Sequence, residues 1–433
     1  MSSTTEQRTS VADLVSRRDR VFGKGAPLFY SQPLHLVRGE GVWLFDSDSR
    51  RYLDLYNNIP VVGHCNPRVV DALSRQAATH NTHTRYLDEH VLDFAEELLG
   101  LHHDQIDNVI FACSGTEANE IAMRMARMAT GGRGFICTDA AYHGNSQLVG
   151  SLTRAPLRGR ADVHAIPFPQ HYRALHEGLS DLELGEAYLS EVQAAIDDFA
   201  AEGVPLAGML MCSILANEGL PTMPSGFLQR ASEMVRAAGG VVIMDEVQAG
   251  YCRSGRWWGY ELMGVVPDIV TMGKPMGNGV PLAACAARSD LVEVFRARTR
   301  YFNTFAGSPL QAAAGLAVLE EIQSCELLEQ VNDVGDHLVR SLRDMTASVD
   351  QVGDVRACGL FVGIEWVVDR ESKEPDWMGA IEIVNRLKEK GMLLSNAGAF
   401  GNVLKVRPPL VFERQHADMF LDAFAETLRD LHV

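Results

Sequence analysis

The chain has 433 residues, 46% of them hydrophobic, and carries 56 acidic against 39 basic side chains, a formal net charge of -17. That is ample apolar material for a large core and more than one domain, and far too much negative charge for sequence-independent binding to nucleic acid or to anionic membrane surfaces. No apolar run is long enough to span a bilayer, the opening "MSSTTEQRTS" lacks the apolar stretch of a secretory signal, and the 8 cysteines are scattered without a C-x-x-C pair, which speaks for buried, reduced thiols in a cytoplasmic protein and against a zinc or disulfide framework.

In chain order, the first ten residues are polar and expected to be mobile. "GEGVWLFDSDSRRYLDL" alternates apolar residues around Asp46-Ser47-Asp48 and predicts a hairpin. Short apolar runs then alternate with amphipathic stretches: "NVIFAC", "GFICTD", "VHAIPF", "AGMLMCSI", "VVIMDEV", "DIVTM" and "LAACAAR" are the runs, and "TEANEIAMRMARMA" is one of the helical stretches between them. Strands alternating with helices predict an α/β fold with a mainly parallel sheet of about seven strands flanked by helices. "PLQAAAGLAVLEEIQS" predicts a long helix from Pro309. From about Asn332 the pattern becomes helix, strand "LFVGIEWVV", helix, strand "NVLKVRPPL", helix, an α+β arrangement. The expected division is an N-terminal segment 1–60 belonging to a small domain, a large domain 61–331, and a C-terminal small domain 332–433.

Ligands in open α/β sheets bind at the carboxyl ends of strands, and three such ends carry chemistry. "FACSGTEANE" runs from a strand straight into a helix: Ser114, Gly115 and Thr116 offer hydroxyls, free backbone N–H groups and the positive helix end, a phosphate cradle, although an ordinary N-cap with Glu117 in the first turn reads the same way. "VVIMDEVQAG" closes an apolar strand on Asp245 and Glu246, where a carboxylate could hold magnesium, pair with a cationic ring nitrogen or face solvent. No G-x-x-x-x-G-K-[ST] loop exists in the chain, so the nucleotide reading fails. "DIVTMGKPMGNGVPLAA" sets Lys274 among Gly273, Pro275, Gly277 and Gly279, a loop shaped for close backbone approach in which a desolvated lysine becomes a nucleophile for carbonyls. A phosphate cradle, a carboxylate for a pyridinium and a Schiff-base lysine together describe pyridoxal 5'-phosphate, with Tyr142 in "AYHGN" offering a ring to stack on it.

Through "SGTEANE", "YHG", "DEVQAGYCRSGRWW", "KPMGNGVP" and "NTFAGSPLQAAAG", the chain resembles the class III aminotransferases, enzymes of fold type I that bind pyridoxal phosphate, from about Phe29 to the C-terminus. The resemblance implies that Lys274 carries the cofactor as a Schiff base, Asp245 binds the pyridinium nitrogen, Val247 packs behind the ring and Gln248 bonds the phenolic oxygen. It also implies that Tyr142 stacks, that Ser114, Gly115 and Thr116 hold the phosphate, and that Thr304 reaches the cofactor phosphate of a neighbouring subunit, so that a homodimer with shared active sites is expected.

"GNVLKVRPPL" departs from the family pattern. Many relatives that act on α-amino acids carry an arginine three residues before the double proline, where it clamps a carboxylate; here that position is Lys405, and Arg407 is added. Residues i and i+2 of a strand face one side, and lysine is a good point-charge partner for phosphate. With "YLDLYNNIPVVGHCNP" and "NTHTRYLDEH", this stretch is most similar to the ethanolamine-phosphate phospho-lyase branch. That likeness implies that Lys405 and Arg407, with Arg85 from across the interface, hold the phosphate of a small phosphorylated amine. An ω- or α-aminotransferase is the alternative. Glu218 in "LANEGLP" is a candidate ion-pair partner for the two cations. His64, His143 and His102-His103 lack metal-ligand spacing and carboxylate company, so packing or surface roles are expected for them, and no metal site.

Overall fold

The computed structural model describes residues 10–157 and 162–432. The expectation for the first ten residues therefore lies outside the described residues except at Ser10, whose hydroxyl accepts from the Asp13 N–H and caps a helix over Val11–Phe22. Next come strands β1 (Leu36–Glu40), β2 (Trp43–Asp46) and β3 (Arg51–Asp54), paired antiparallel in sequence. The predicted hairpin is β2–β3. Its turn forms because the Asp46 carboxylate accepts from the N–H groups of Asp48 (2.9 Å) and Arg50 (3.0 Å), an aspartate turn that lets Ser49 sit at φ 64°.

The seven predicted apolar runs form one sheet. They are β4 (Asn108–Ala112), β5 (Gly134–Thr138), β6 (Val163–Ile166), β7 (Leu206–Cys212), β8 (Val241–Asp245), β9 (Ile269–Met272) and β10 (Ala283–Ala287). Their order is β4-β10-β9-β8-β7-β5-β6, parallel throughout except that β10 runs antiparallel to both of its neighbours. The strands from β5 to β10 are buried at every position. Helices cover both faces, and a strand buried on both faces reads as an unbroken apolar run rather than an alternation.

The C-terminal part adds β11 (Val352–Cys358), β12 (Phe361–Trp366), β13 (Met392–Leu393), β14 (Ser395–Ala397) and β15 (Val403–Val406). An antiparallel sheet is ordered β11-β12-β15-β14, while β13 pairs parallel with β3, so the N-terminal hairpin and the C-terminal segment share a sheet. The strand expected in "NVLKVRPPL" stops at Val406, one residue short of Arg407. The reason is local: the prolines that follow have no N–H to give a ladder, and the Arg407 N–H leaves β15 to bond the Leu55 carbonyl at 2.8 Å. That contact brings the loop after β3 against the end of β15.

The long helix predicted from Pro309 spans Pro309–Ser324, capped by a reciprocal Ser308–Gln311 box with proline in its first turn. It packs against the helix Glu89–Gly100. Gly315 makes the close approach possible: a Cβ there would lie 2.4 Å from the Phe94 ring, which is itself stacked on Phe111 at a centroid distance of 5.3 Å. In an exposed helix Gly→Ala would stabilise by about 1 kcal/mol; here the clash outweighs propensity. Gly315→Ala is expected to lower stability by about 1–3 kcal/mol, read as a lower urea midpoint with an unchanged slope. A midpoint at or above that of the wild type would show that the two helices do not pack this way.

Candidate active site

The carboxyl ends of β4, β7, β8 and β9 open on one cavity of ≈ 110 Å³, whose walls include Gly115, Thr116, Tyr142, Asp245, Val247 and Lys274. Each side chain is there for a local reason. The helix Gly115–Thr130 begins directly after β4, with Ser114 as its N-cap accepting from the Glu117 N–H. Its first-turn N–H groups at Gly115 and Thr116 border the cavity, with the positive end of the helix behind them. Glycine at 115 leaves room for Val247: a Cβ would stand 3.0 Å from its methyl groups, so that side chain would have to shift by a few tenths of an ångström. Gly144 has φ 146°, and a Cβ there would lie 2.5 Å from the Thr116 hydroxyl.

The paired acids at the end of β8 separate. Glu246 turns away and accepts from the N–H groups of Gly259 (2.9 Å) and Tyr260 (2.8 Å), fixing the loop beyond. Asp245 faces the cavity and is buried, its Oδ2 receiving His143 Nδ1 at 2.7 Å and Asn119 Nδ2 at 3.0 Å, its Oδ1 the Val247 N–H at 3.0 Å. Asn119 is held in turn by the Thr271 hydroxyl of β9, which donates to its amide oxygen at 2.6 Å. Burial alone would push the Asp245 carboxyl up, but the His143 contact and these N–H donors hold it below its ordinary value. Across the cavity, burial lowers the Lys274 ammonium, with Arg407 acting in the same direction and Asp245 opposing both. A lysine so placed is readily deprotonated and nucleophilic.

A second cavity of ≈ 380 Å³ adjoins the first and shares Tyr142, Gln248 and Lys274 with it. Its inner wall carries Lys405 and Arg407, only 5% and 6% exposed. Lys405 Nζ donates to the Ala216 carbonyl at 2.9 Å. Arg407 Nε donates to the Tyr56 carbonyl at 2.8 Å and Nη1 to the Gln248 amide oxygen. The Tyr56 ring lies 4.6 Å from the guanidinium. Burial, reinforced by Arg407, drops the Lys405 pKa well below that of an ordinary lysine; burial also lowers Arg407, against the opposing pull of Tyr56 and Asp54.

Several expected residues stand elsewhere. Ser114 caps the helix and is exposed rather than lining the cavity. Glu218 forms no ion pair within 4.0 Å of Lys405 or Arg407; it is buried, accepts from the Thr138 hydroxyl at 2.7 Å, and burial raises its pKa despite that contact. Arg85 and Thr304 line neither cavity. Both are exposed on one surface, where Arg85 lies 3.8 Å over the Phe302 ring. Two histidines do have the carboxylate company that the sequence reading denied them: His143 bonds Asp245, and His64 bonds Asp54 at 2.7 Å. Their partners lie 102 and 10 residues away, beyond any local spacing rule. His102 does pack, stacked on Trp258 at 4.0 Å. The ligand-type atoms of His143, Cys212 and Asp245 fall within 4.8 Å of one another, but this cluster forms the wall of the first cavity, with His143 and Asp245 already bonded together. Given no site role from the sequence were Asn119 and Asn217, the latter accepting from Gln248 at 3.2 Å and donating to the Tyr142 carbonyl at 3.1 Å. The "YHG" motif, with a histidine beside the stacking tyrosine, was the one available signal for His143.

Residues 29–428 match the family model described as aminotransferase class-III. The chain is 36% identical over 434 residues to an alanine–glyoxylate aminotransferase 2-like protein of Drosophila melanogaster, covering 98% of this chain and 88% of that one. It is 34% identical to ethanolamine-phosphate phospho-lyase homolog 1 of Caenorhabditis elegans, with 96% and 93% covered. Among solved structures, a phospholyase from Arthrobacter in complex with phosphoethanolamine superposes with a TM-score of 0.92 at 40% identity, covering 96% of this chain and 99% of that one. The cofactor of these proteins is pyridoxal phosphate, and the first cavity fits it. A helix N-terminus cleared by glycines suits the phosphate, a buried carboxylate kept ionised suits a cationic ring nitrogen, and a desolvated amine suits the aldehyde.

Replacing His143 tests the electrostatic part of that fit. His143→Leu removes the largest favourable contact of the Asp245 carboxylate and leaves burial to raise its pKa. A charge-assisted hydrogen bond is worth about 1.5–3 kcal/mol, so cofactor affinity, titrated by absorbance on the apoenzyme, is expected to fall roughly 10-fold or more. Unchanged affinity would mean that Asn119 and the Val247 N–H hold the charge unaided.

Proposed function

The chain belongs to the class-III aminotransferase family, and within it we propose that the chain is a phospho-lyase, splitting O-phosphoethanolamine or a related small phosphorylated amine into an aldehyde, ammonia and inorganic phosphate. One observation carries the reading. Lys405 and Arg407 are buried beside Lys274, and among the described residues no aspartate or glutamate lines the cavity they face. Glu218 and Asp54 offset part of their charge from behind, but buried cations facing a cavity without a carboxylate suit an anion, and the likeness to a phospholyase that binds phosphoethanolamine suggests which one. The alanine–glyoxylate relatives favour an aminotransferase instead; Lys405, a point charge in place of a guanidinium fork, argues for phosphate.

In this reading the bound cofactor supplies an electron sink for the carbon that bears the substrate nitrogen. Asp245, kept ionised by His143, holds the ring nitrogen protonated. Gln248 gives its oxygen to Arg407, so its amide NH₂ is the end left to donate. Lys274, its ammonium easily deprotonated, takes the proton from the carbon bearing nitrogen. The phosphate then leaves the adjacent carbon with the electron pair of the C–O bond, and Lys405 and Arg407 stabilise the charge it gains. Water completes the balance: O-phosphoethanolamine and water give acetaldehyde, ammonia and phosphate.

Lys405→Ala is expected to reduce kcat/KM for phosphate release roughly 10- to 100-fold, the kinetic equivalent of about 1.5–3 kcal/mol, with cofactor binding intact. Because Lys405 must be charged to hold the anion and its pKa lies well below the ordinary lysine value, phosphate affinity in the wild type should fall as pH rises, at lower pH than a surface lysine would allow. In Lys405→Arg the fall should move to higher pH. Unchanged phosphate release by Lys405→Ala, or a wild type that releases no phosphate and aminates pyruvate, would replace the lyase reading with the aminotransferase one.

The separate position of Arg85 and Thr304 supports shared sites in a homodimer. Tyr86, Leu87 and Phe305 beside them are exposed apolar side chains, and Arg85 is in this reading a phosphate ligand for the site of a second copy. Arg85→Ala and Lys274→Ala, each inactive alone, are expected to regain activity when co-expressed, through mixed dimers with one intact site. Purified mixed dimers without activity would confine Arg85 to its own chain.

A further inference from the structure

The second cavity has one more cation, on the wall facing solvent. Arg154 lines it together with Lys405 and Arg407 but, unlike them, is exposed. Its backbone sits at φ 47°, in the left-handed region that side chains beyond glycine rarely adopt. It is held there by its own N–H, which bonds the Ala141 carbonyl at 2.9 Å, and by the preceding residue, Thr153, whose hydroxyl donates to the Gly144 carbonyl at 3.3 Å. Both anchors belong to the segment that carries Tyr142 and His143. The side chain itself makes no hydrogen bond or ion pair among the described residues. A disfavoured backbone conformation, anchored at Arg154 and the residue before it, therefore carries a guanidinium that has no structural partner among the described residues over a pocket without a carboxylate.

We propose that Arg154 is a specificity-determining residue that completes the phosphate site of this pocket from the solvent side, selecting dianionic phosphate over monoanionic carboxylate. This rests on the phospho-lyase reading for its substrate but not for its anion. The donors of the inner pair are partly spent: Arg407 gives Nε and Nη1 to Tyr56 and Gln248, and Lys405 gives one N–H to Ala216. A carboxylate is satisfied by what remains. A phosphate monoester carries more charge and more acceptor oxygens, and it alone gains from a further guanidinium. An exposed arginine at the rim also exchanges water for phosphate without the cost of burying another charge.

The test uses the holoenzyme and needs no turnover. Binding of inorganic phosphate and of acetate is measured for wild type, Arg154→Gln and Arg154→Lys, with the cofactor absorbance spectrum as the control for the Tyr142 segment. Arg154→Gln is expected to weaken phosphate roughly 10-fold and acetate less than about 3-fold, with an unaltered spectrum, and Arg154→Lys to recover part of the loss. In phosphate release from O-phosphoethanolamine the same variant should raise KM with kcat little changed. Equal phosphate binding by wild type and Arg154→Gln, equal losses for both anions, or a wild type that binds no phosphate would each overturn the proposal. If wild type binds phosphate and Arg154→Gln does not, yet O-phosphoethanolamine is not cleaved, the lyase reading fails while the role of Arg154 stands.

Discussion

The arrangement of this site depends on burying cations beside neutral partners. Arg253 is fully buried and donates to carbonyls of Leu360 and Pro408 and to the Asn58 amide oxygen. Arg407 donates to the Tyr56 carbonyl and the Gln248 amide. Taking such charges out of water costs several kcal/mol each unless hydrogen bonds and opposite charge offset it. The fold supplies the hydrogen bonds by drawing the loop after β3, the loop after β8 and the end of β15 onto two guanidiniums. Opposite charge it largely withholds: Asp54, buried and bonded to His64, is the carboxylate that pulls on both. The double proline fits this role, because Pro408 can offer its carbonyl to Arg253 while having no N–H to satisfy.

This wiring couples the two cavities. The Gln248 amide has its oxygen on Arg407, its nitrogen on Asn217, and its backbone carbonyl on Asn58. Asn217 continues to the backbone of Tyr142, which lines both cavities. An anion that draws on the Arg407 guanidinium therefore acts on the orientation of an amide beside the cofactor. The donors of the two cavities form one network, and groups in one network do not contribute additively.

Legibility in the sequence followed the range of the interactions. The seven central strands could be read because burial on both faces writes itself as apolar runs. The strands β13 and β14, with two and three residues, exist only because β3 and β15 lie alongside them, and β11 mixes polar with apolar positions. In the site, Lys274 and Asp245 stood out because a strand end and its chemistry are neighbours in the chain. His143, Asn119 and Asn217 matter through partners 102, 126 and 31 residues away, and apart from the "YHG" motif at His143 nothing local marks them. Glu218 shows the converse: a glutamate in a plausible position for an ion pair is claimed by Thr138, 80 residues away. Arg154 was invisible for another reason, since its importance lies in lacking a partner.

The net charge of -17 gives the cationic pocket a further meaning. At a distance a net negative charge repels any anion, and salt screens that repulsion over roughly 8 Å at physiological ionic strength. The net charge does not favour long-range steering of an anion, unlike that of proteins whose overall surface charge complements the ligand. Charge acts most strongly at contact, where Lys405 and Arg407 are desolvated and screened least. It follows that the inner cations have to be positioned rather than merely present. The hydrogen bonds to Ala216, Tyr56 and Gln248 do this: each spends a donor on a carbonyl oxygen, which fixes direction without neutralising charge.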